Sequence, residues 1–355
     1  MMKLRKVQDA DVKGKTVFLR GDLDVPIQQS ATSNQESVLD SSRLEAWFPT
    51  LEHLLKQNAK VIIAGHLGRP EGKDEKFSLK PVALWIRKAR ELHNELEQVD
   101  LNGFQAFKIT GNVFLLENLR FYKEEEENNE EFSKNLASLA EVYVNDAFAS
   151  SHRAHASIVG ITKYLPAFSG LRLLKEVEEL SKVLEEPKRP LCVIIGGAKI
   201  ETKLPLVEKM HHFADYVLVG GEIAENDKVL LKVQHEKVQG KKAALLVADL
   251  KENLKDITEK SAENFLQVVQ NCQTIVWNGP MGLVEDDENS VGTRILAEGL
   301  TNSGSYKIVG GGDTIAYLTK INLLDKFSFA STGGGAMLEF LAGVKLPGLV
   351  ALLEK

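Results

Sequence analysis

Short, nearly unbroken apolar runs punctuate the chain. They are Val17–Leu19, Val61–Ala64, Val113–Leu116, Val142–Val144, Val193–Ile195, Tyr216–Val219, Ala243–Ala248, Thr274–Trp277, Tyr306–Val309 and Phe327–Ala330. Most are rich in β-branched residues and lack two-residue alternation, the pattern of strands buried on both faces of a parallel sheet. Helix-period segments lie between them, among them Leu51–Leu55, Leu79–Leu92, Phe132–Leu139 and Ala262–Val269. Alternating strands and helices predict an α/β fold with parallel sheets. No internal repeat of fixed period interrupts this pattern.

Three stretches read differently. From Ser169 to Glu186, Leu171, Leu174, Val177, Leu180 and Leu184 fall on one helical face, and Pro187 and Pro190 end the run. Strand-rich sequence on both sides makes this a helix connecting two α/β halves. The acidic run Glu124–Glu131 reads as a solvated helix start, where carboxylates suit the positive end of the helix. Residues Gln28–Ser37 read as a polar loop without periodicity.

Composition adds scale. With 355 residues, 43% of them hydrophobic, the chain is large enough for two cores. A net charge of −6 disfavours nucleic-acid binding, so an anionic ligand needs a local basic patch. The two cysteines, Cys192 and Cys272, are not in metal-ligand spacing and read as buried thiols. The first residues lack the apolar core of a signal peptide, and no run of 18 apolar residues occurs. The expectation is a soluble, cytoplasmic protein that binds neither membrane nor nucleic acid.

Glycine and polar residues follow the strands repeatedly, at Gly21-Asp22, Gly65-His66, Glu117-Asn118, Asn145-Asp146, Gly196-Gly197, Gly220-Gly221, Asn278-Gly279, Gly310–Gly312 and Thr332–Gly335. Ligands of open α/β sheets bind beyond the carboxyl ends of the strands. The two halves carry opposite chemistry there. The first collects cations, Arg43, His66, Arg69, Arg120, His152 and Arg153, suited to a small anion. The second collects glycines, which let phosphates approach bare backbone N–H groups at helix starts. Neither GxxxxGK[ST] nor GxGxxG is present, which sets aside a Walker loop and an NAD-dependent oxidoreductase. Lys199 and Lys203, four residues apart after Gly196-Gly197, place two cations near a helix start, a phosphate signal. Asp313-Thr314 reads either as a helix cap or, beside a nucleotide, as a magnesium ligand and its neighbour.

The segments VFLRGDLDVP, AGHLGRPEG, LLENLRF, VNDAFASSHRAHAS, IIGGAKIETK, VWNGPMGLVE, IVGGGDT and STGGGAMLEFL resemble, in order, the signatures of the phosphoglycerate kinase family. The resemblance covers nearly the whole chain. It implies an α/β fold of two Rossmann-like parallel-sheet domains joined by a hinge helix: residues 1–168 holding the glycerate, with the tail 343–355 packing back on them, residues 169–187 as hinge, and residues 188–342 holding the nucleotide. The implied glycerate site is Asp22, Leu23, Asp24, Arg43, His66, Leu67, Gly68, Arg69, Arg120 and Arg153, for 3-phosphoglycerate or 1,3-bisphosphoglycerate. The implied nucleotide site for ATP or ADP is Gly196, Gly197, Lys199, Lys203, Asn278, Glu285, Gly311, Gly312, Asp313 and Thr314. Glu285 would face the ribose and Asp313 would hold Mg2+. Arg43, Lys199, Lys203 and the helix start at Gly333, Gly334 and Gly335 would act on the transferring phosphoryl, with the domains closing to exclude water. Monomer is the family expectation.

The residue types agree with that chemistry. A substrate carboxylate is already ionised at neutral pH, so no general base is required, only alignment and charge neutralisation. The pair His152 and His155 is expected to support structure rather than ligate metal. His211-His212 has no partner signal, and Trp277 reads as core.

Three departures from the family pattern stand out. Asp24 replaces an Asn that faces the glycerate, adding a like charge. The stretch from Gly221 to Val247 is short, with Glu222 in place of a third glycine. Thr258-Glu259 replaces Gly-Pro after Asp-Ile. Asp24 and the trimmed segment support a second reading, a catalytically weakened or non-catalytic relative; Arg43, Lys199, Lys203 and Asp313 favour an active kinase.

Overall fold

A computed structural model describes residues 2–29, 36–93, 95–198, 200–225, 230 and 242–354, without the side chains of Ile200 and Thr202. Lys199 and most of the shortened stretch between Gly221 and Val247 therefore lie outside the described residues. The chain divides into two compact units, Met1–Val177 with Lys345–Lys355, and Glu178–Val344.

The first unit holds strands β1 (Thr16–Arg20), β2 (Ile27–Gln29), β3 (Glu36–Val38), β4 (Lys60–Ala64), β5 (Glu97–Leu101), β6 (Phe104–Lys108), β7 (Val113–Leu116), β8 (Val142–Asn145) and β9 (Ala167–Ser169). Seven form one sheet in the order β5-β6-β7-β4-β1-β8-β9. β1 runs parallel to both β4 and β8, with Val17 opposite Val61 and Val142. Both faces are covered, which explains the missing alternation. On one face Val17, Leu19, Val61 and Ile63 pack in a cluster with Leu44, Trp47, Leu51 and Leu54 of α1 (Ser42–Lys56) and with Val82 and Ile86 of α2 (Lys80–Ala89). On the other, Phe18 meets Tyr143 with ring centroids 6.1 Å apart.

This sheet is not wholly parallel. β5 and β6 form an antiparallel hairpin, and β6 pairs antiparallel with β7. The turn is Asn102-Gly103, both at positive φ (52° and 88°), the conformation a tight two-residue hairpin requires. The described ends of the expected loop 28–37 are strand, since β2 and β3 pair antiparallel with Ile27 opposite Val38; residues 30–35 lie outside the described residues. The acidic run divides into α3 (Lys123–Glu126) and α4 (Glu130–Ala137), the latter capped by Asn129, whose side chain accepts the Phe132 N–H at 3.0 Å. It is not wholly solvated either, because Glu125 is buried.

Helix α5 (Leu171–Glu185) runs across the division between the units. Asp146 Oδ1 accepts the Leu173 N–H at 2.8 Å, and Thr50 Oγ1 accepts the Leu171 N–H at 2.9 Å while donating to Asp146 Oδ2 at 2.5 Å. Leu174, Val177 and Leu180 are buried as the stripe predicts; Leu173, Val183, Glu176 and Glu179 are buried too, so the covered surface is wider than one face. The two glutamates are paired, Glu176 with Arg172 at 2.8 Å and Glu179 with Lys182 at 2.7 Å. The C-terminal residues are stitched to the first unit, Arg5 N–H donating to Leu352 O at 3.0 Å and Gly348 N–H to Ser151 O at 2.9 Å.

The second unit has strands β10 (Leu191–Ile195), β11 (Tyr216–Val219), β12 (Ala244–Val247), β13 (Thr274–Asn278), β14 (Tyr306–Gly310) and β15 (Phe329–Ser331) in the order β12-β11-β10-β13-β14-β15, with every pairing parallel. Its helices are α6 (Ile200–His211), α7 (Glu259–Val269), α8 (Val291–Thr301), α9 (Gly312–Lys320) and α10 (Gly334–Leu341). Ile194, Leu218, Ile275 and Trp277 share a core with Phe265 of α7 and Leu296 of α8. Cys192 and Cys272 are free thiols buried in that core. Among the described residues no helix is long and apolar enough to cross a membrane.

Candidate active site

In the first unit the strand order reverses at β1, which lies between β4 and β8; Asp22 and Asp24 follow β1, His66 and Arg69 follow β4, Arg153 follows β8, Arg120 follows β7, and Arg43 comes from α1. Arg43, from α1, reaches back with NH1 donating to the Asp24 carbonyl at 3.1 Å and lying 3.8 Å from Asp22 Oδ1. Asp22 is buried, and among the described residues its carboxylate oxygens have no well-formed hydrogen bond, with the Asp24 N–H the one backbone donor near them. Burial raises its pKa, opposed chiefly by Arg43. The Asp24 carboxylate accepts the Gly68 N–H at 2.9 Å and lies 4.0 Å from His66 Nε2. Arg120 donates to the Gly68 carbonyl, and its Nε is 3.1 Å from Glu126, which also lies 3.9 Å from Arg153. Asp22, Asp24, Arg43, His66, Gly68, Arg120 and Arg153 are thus linked in one polar array. Arg69 is exposed and makes no hydrogen bond or ion pair among the described residues. The side chains of Leu23 and Leu67 are buried among apolar neighbours, leaving their backbone to the site.

Beneath this array is a residue that the sequence pattern does not single out. Arg20 ends β1 and is almost wholly buried; it donates to Ser157 Oγ at 2.9 Å, to the Gly21 carbonyl at 2.5 Å, and meets His66 Nδ1 at 3.0 Å. Ser157 in turn donates its hydroxyl and its N–H to the buried Glu125 carboxylate, at 2.5 and 2.9 Å. The one signal in the chain is an arginine inside an apolar strand. Burial and the surrounding guanidinium groups push His66 well below the usual histidine range and His155 down to about 3, so both are neutral at physiological pH. His155 Nδ1 lies 3.9 Å from Glu125, on the structural side of the array.

In the second unit the strand order reverses between β10 and β13, and their two following loops press together. Gly279 has φ of 92°, and a Cβ there would collide with the Gly196 carbonyl and the Lys203 ammonium. A Cβ on Gly196 would strike the Pro280 carbonyl. Lys203, from α6, folds over this junction and donates to the Gly196 carbonyl. Burial lowers its pKa to about 8 against the pull of Asp313. The starts of α9 and α10 adjoin, since a Cβ on Gly334 would lie 3.1 Å from the Gly311 Cα. Neither helix has a side-chain cap, so two sets of free N–H groups and two positive helix ends meet at one place.

A cavity of about 230 Å³ opens here, and of the expected nucleotide residues Gly197, Glu285 and Asp313 line it. Asn278 and Thr314 stand behind it as ties: Thr314 Oγ1 accepts the Gly279 N–H at 3.1 Å, and the Asn278 amide reaches the Gly334 carbonyl at 3.5 Å. Pro280, Leu283 and Val284, within the VWNGPMGLVE segment, also line it, as does Lys255, which lies in none of the family-like segments. Thr258, at one of the departures, caps α7 by accepting the Ser261 N–H at 3.2 Å and is not part of the lining.

Twin parallel-sheet units, cations at the strand ends of one and glycine-lined helix starts in the other, define an α/β phosphotransferase. The phosphoglycerate kinase family profile matches residues 7–244 and 226–344. The phosphoglycerate kinase of Leptospira biflexa serovar Patoc is 38% identical over 406 aligned positions, covering 100% of this chain and 99% of the relative. That of Coprothermobacter proteolyticus is 38% identical over 401, covering 99% of each. Among solved structures, phosphoglycerate kinase from Coxiella burnetii superposes with a TM-score of 0.78 at 34% identity, and that from Pyrococcus horikoshii OT3 with 0.79 at 29%, each covering 98% of both chains. The chain belongs to the phosphoglycerate kinase family. Its activity is accordingly the reversible phosphoryl transfer of glycolysis, and nothing favours the non-catalytic reading.

Proposed function

We propose that the array of the first unit binds 3-phosphoglycerate or 1,3-bisphosphoglycerate and that the cavity of the second binds Mg-ATP or Mg-ADP. In domain terms, residues 1–168 with the tail 343–355 carry the glycerate site, residues 169–187 connect, and residues 188–342 carry the nucleotide. The observation that supports this most is the meeting of the α9 and α10 starts beside Lys203 and Asp313. Bare N–H groups, two positive helix ends and an ammonium suit the charge of nucleotide phosphates and of a phosphoryl group in transfer.

Each proposed role follows from the chemistry of the residue. Asp22, a buried carboxylate with no well-formed hydrogen bond among the described residues, suits a glycerate hydroxyl. Arg43, Arg69, Arg120 and Arg153 neutralise the glycerate phosphate and carboxylate, with His66 as a neutral hydrogen-bonding partner. Gly197 admits the nucleotide phosphates, and Lys203 spreads positive charge over the transferring group; Lys199 is proposed to join it. Glu285 accepts from the ribose hydroxyls. Asp313 lines the cavity and its carboxylate makes no hydrogen bond among the described residues, which fits an oxygen ligand for Mg2+. When bound, that ion supplies charge neutralisation between the phosphate groups. The acceptor carboxylate is already ionised, so the protein's work is alignment and charge neutralisation.

A coupled assay with ATP, magnesium and 3-phosphoglycerate tests the reading. Arg43→Ala and Lys203→Ala should each lower kcat/KM by at least roughly a hundredfold, the scale of losing one transition-state donor. Turnover unaltered in both would reject the assigned roles. We further propose a monomer acting in the cytoplasm, which sedimentation of the purified chain and fractionation of cells would check.

A further inference from the structure

We propose that Lys255 and Glu222 read the base of the nucleotide and bias the site toward a 6-oxopurine, guanine or hypoxanthine, over adenine. The inference rests on the nucleotide reading of the cavity. Asp313 and Gly197 mark the phosphate end of the lining, and Glu285 is assigned to the ribose. The rest of the lining is Ala198, Gly221, Glu222, Lys255, Pro280, Gly282, Leu283 and Val284, of which only Glu222 and Lys255 carry charged side chains. Leu283 is 43% exposed and offers an apolar face on which a base can lie.

Lys255 is fixed beside that face at both ends of its backbone. Its N–H donates to Asn253 Oδ1 at 3.0 Å, and its carbonyl accepts the Leu283 N–H at 2.9 Å. Among the described residues neither the Lys255 ammonium nor the Glu222 carboxylate makes a hydrogen bond, and both line the cavity, one a donor and the other an acceptor. An ammonium has donors and no acceptor. Guanine and hypoxanthine present O6 and N7, two acceptors on one edge, whereas adenine puts its N6 amino donor beside N7. A carboxylate only accepts, matching the N1–H and exocyclic amino group of guanine. Asp286, whose carboxylate feels the Lys255 charge, is the competing partner for the ammonium.

The test is kcat/KM of the full-length enzyme with Mg-GTP, Mg-ITP and Mg-ATP, each with 3-phosphoglycerate, for wild type, Lys255→Met and Glu222→Gln. Methionine keeps the apolar stem and removes the donor. The GTP-to-ATP ratio should fall roughly fivefold or more in Lys255→Met, the lower end of one base-edge pair. The GTP-to-ITP ratio should fall in Glu222→Gln, because only guanine carries the exocyclic amino group. Ratios within about twofold of wild type in both variants would overturn the proposal. Absence of turnover with all three nucleotides in the wild type would instead overturn the nucleotide reading.

Discussion

The carboxylate of Asp24 accepts the backbone N–H of Gly68 at 2.9 Å. An aspartate in an anion site is thereby anchored to the loop that follows β4, with Arg43 on its own carbonyl and not on its carboxylate. The charge remains uncompensated by a direct guanidinium pair and opposes an anionic substrate. Two like charges ~4 Å apart at an effective dielectric near 20 repel by about 4 kcal/mol before the neighbouring arginines screen them. An asparagine side chain at this position would keep the acceptor for Gly68 and lose the charge. Asp24→Asn should therefore lower the KM for 3-phosphoglycerate, on the order of tenfold. Initial-rate kinetics at fixed ATP decide the point; a KM equal to or above wild type would show that Asp24 is shielded.

Lys203 titrates within reach of ordinary assays. Its ammonium is held down to about 8 by burial, so it is charged at pH 7 and loses its proton as the pH rises through 8. Bound phosphates would pull the proton back. The dependence should therefore appear in kcat/KM for the nucleotide, which reports the free enzyme, more than in kcat. Above pH 8 that ratio should drop by up to about tenfold for each further pH unit, and Lys203→Arg, which stays charged, should be flat over the same range at a lower absolute rate. A wild-type profile level from pH 7 to 9.5 would assign the lysine an ordinary pKa.

Asp146 gives a stability prediction of definite sign. Burial pushes it up to about 7 although it accepts from Thr50 and from Leu173 at the start of α5. The unfolded chain releases this proton near pH 4 and the folded chain keeps it until about 7. Its stabilising contribution is full below pH 4 and declines as pH rises to 7. The stability of wild type relative to Asp146→Asn should fall across that window by a few kcal/mol, because each tenfold difference in proton affinity between the folded and unfolded chain is worth about 1.4 kcal/mol. Urea midpoints at pH 4.5, 6 and 8 measure it. A constant difference between the two proteins would mean that the carboxylate is already ionised at the bottom of the range.

The contrast between what was legible and what was missed follows from how local each signal is. Val17–Leu19 and Thr274–Trp277 showed themselves because a strand covered on both faces has no polar positions. The hairpin of β5 and β6 lies at a sheet edge, where Glu97, Gln98 and Asp100 face outward and break the apolar run. Its Asn102-Gly103 turn was nonetheless written in the chain. Arg43 and His66 stood out as cations after strands, whereas Arg20 is hidden inside β1 and acquires its meaning from Ser157, 137 positions away. Lys255 belongs to an unremarkable charged loop, and only the hydrogen bond from Leu283 brings it to the cavity wall. Charges in the acidic run looked alike in sequence; burial separates Glu125 from Glu124.

Arg20 supports the first unit's array from below, and its loss should be felt as instability before it is felt as chemistry. It neutralises the buried Glu125, whose pKa burial raises and Arg20 chiefly opposes. It also donates to Ser157 and meets His66, fixing the ring that lies near Asp24. Replacing it by methionine fills much of the volume but removes the cation linked to the buried Glu125 carboxylate through Ser157, which should cost less than the ~3–5 kcal/mol of breaking a direct buried pair. Arg20→Met should lower the urea midpoint accordingly, whereas Arg20→Met with Glu125→Gln should recover part of the loss, since the stranded charge is gone. Failure of the double variant to recover any stability would show that the two residues are not coupled. If the coupling holds, activity in the double variant reports separately on His66: with its Nδ1 partner gone, KM for 3-phosphoglycerate should rise even where the fold is restored.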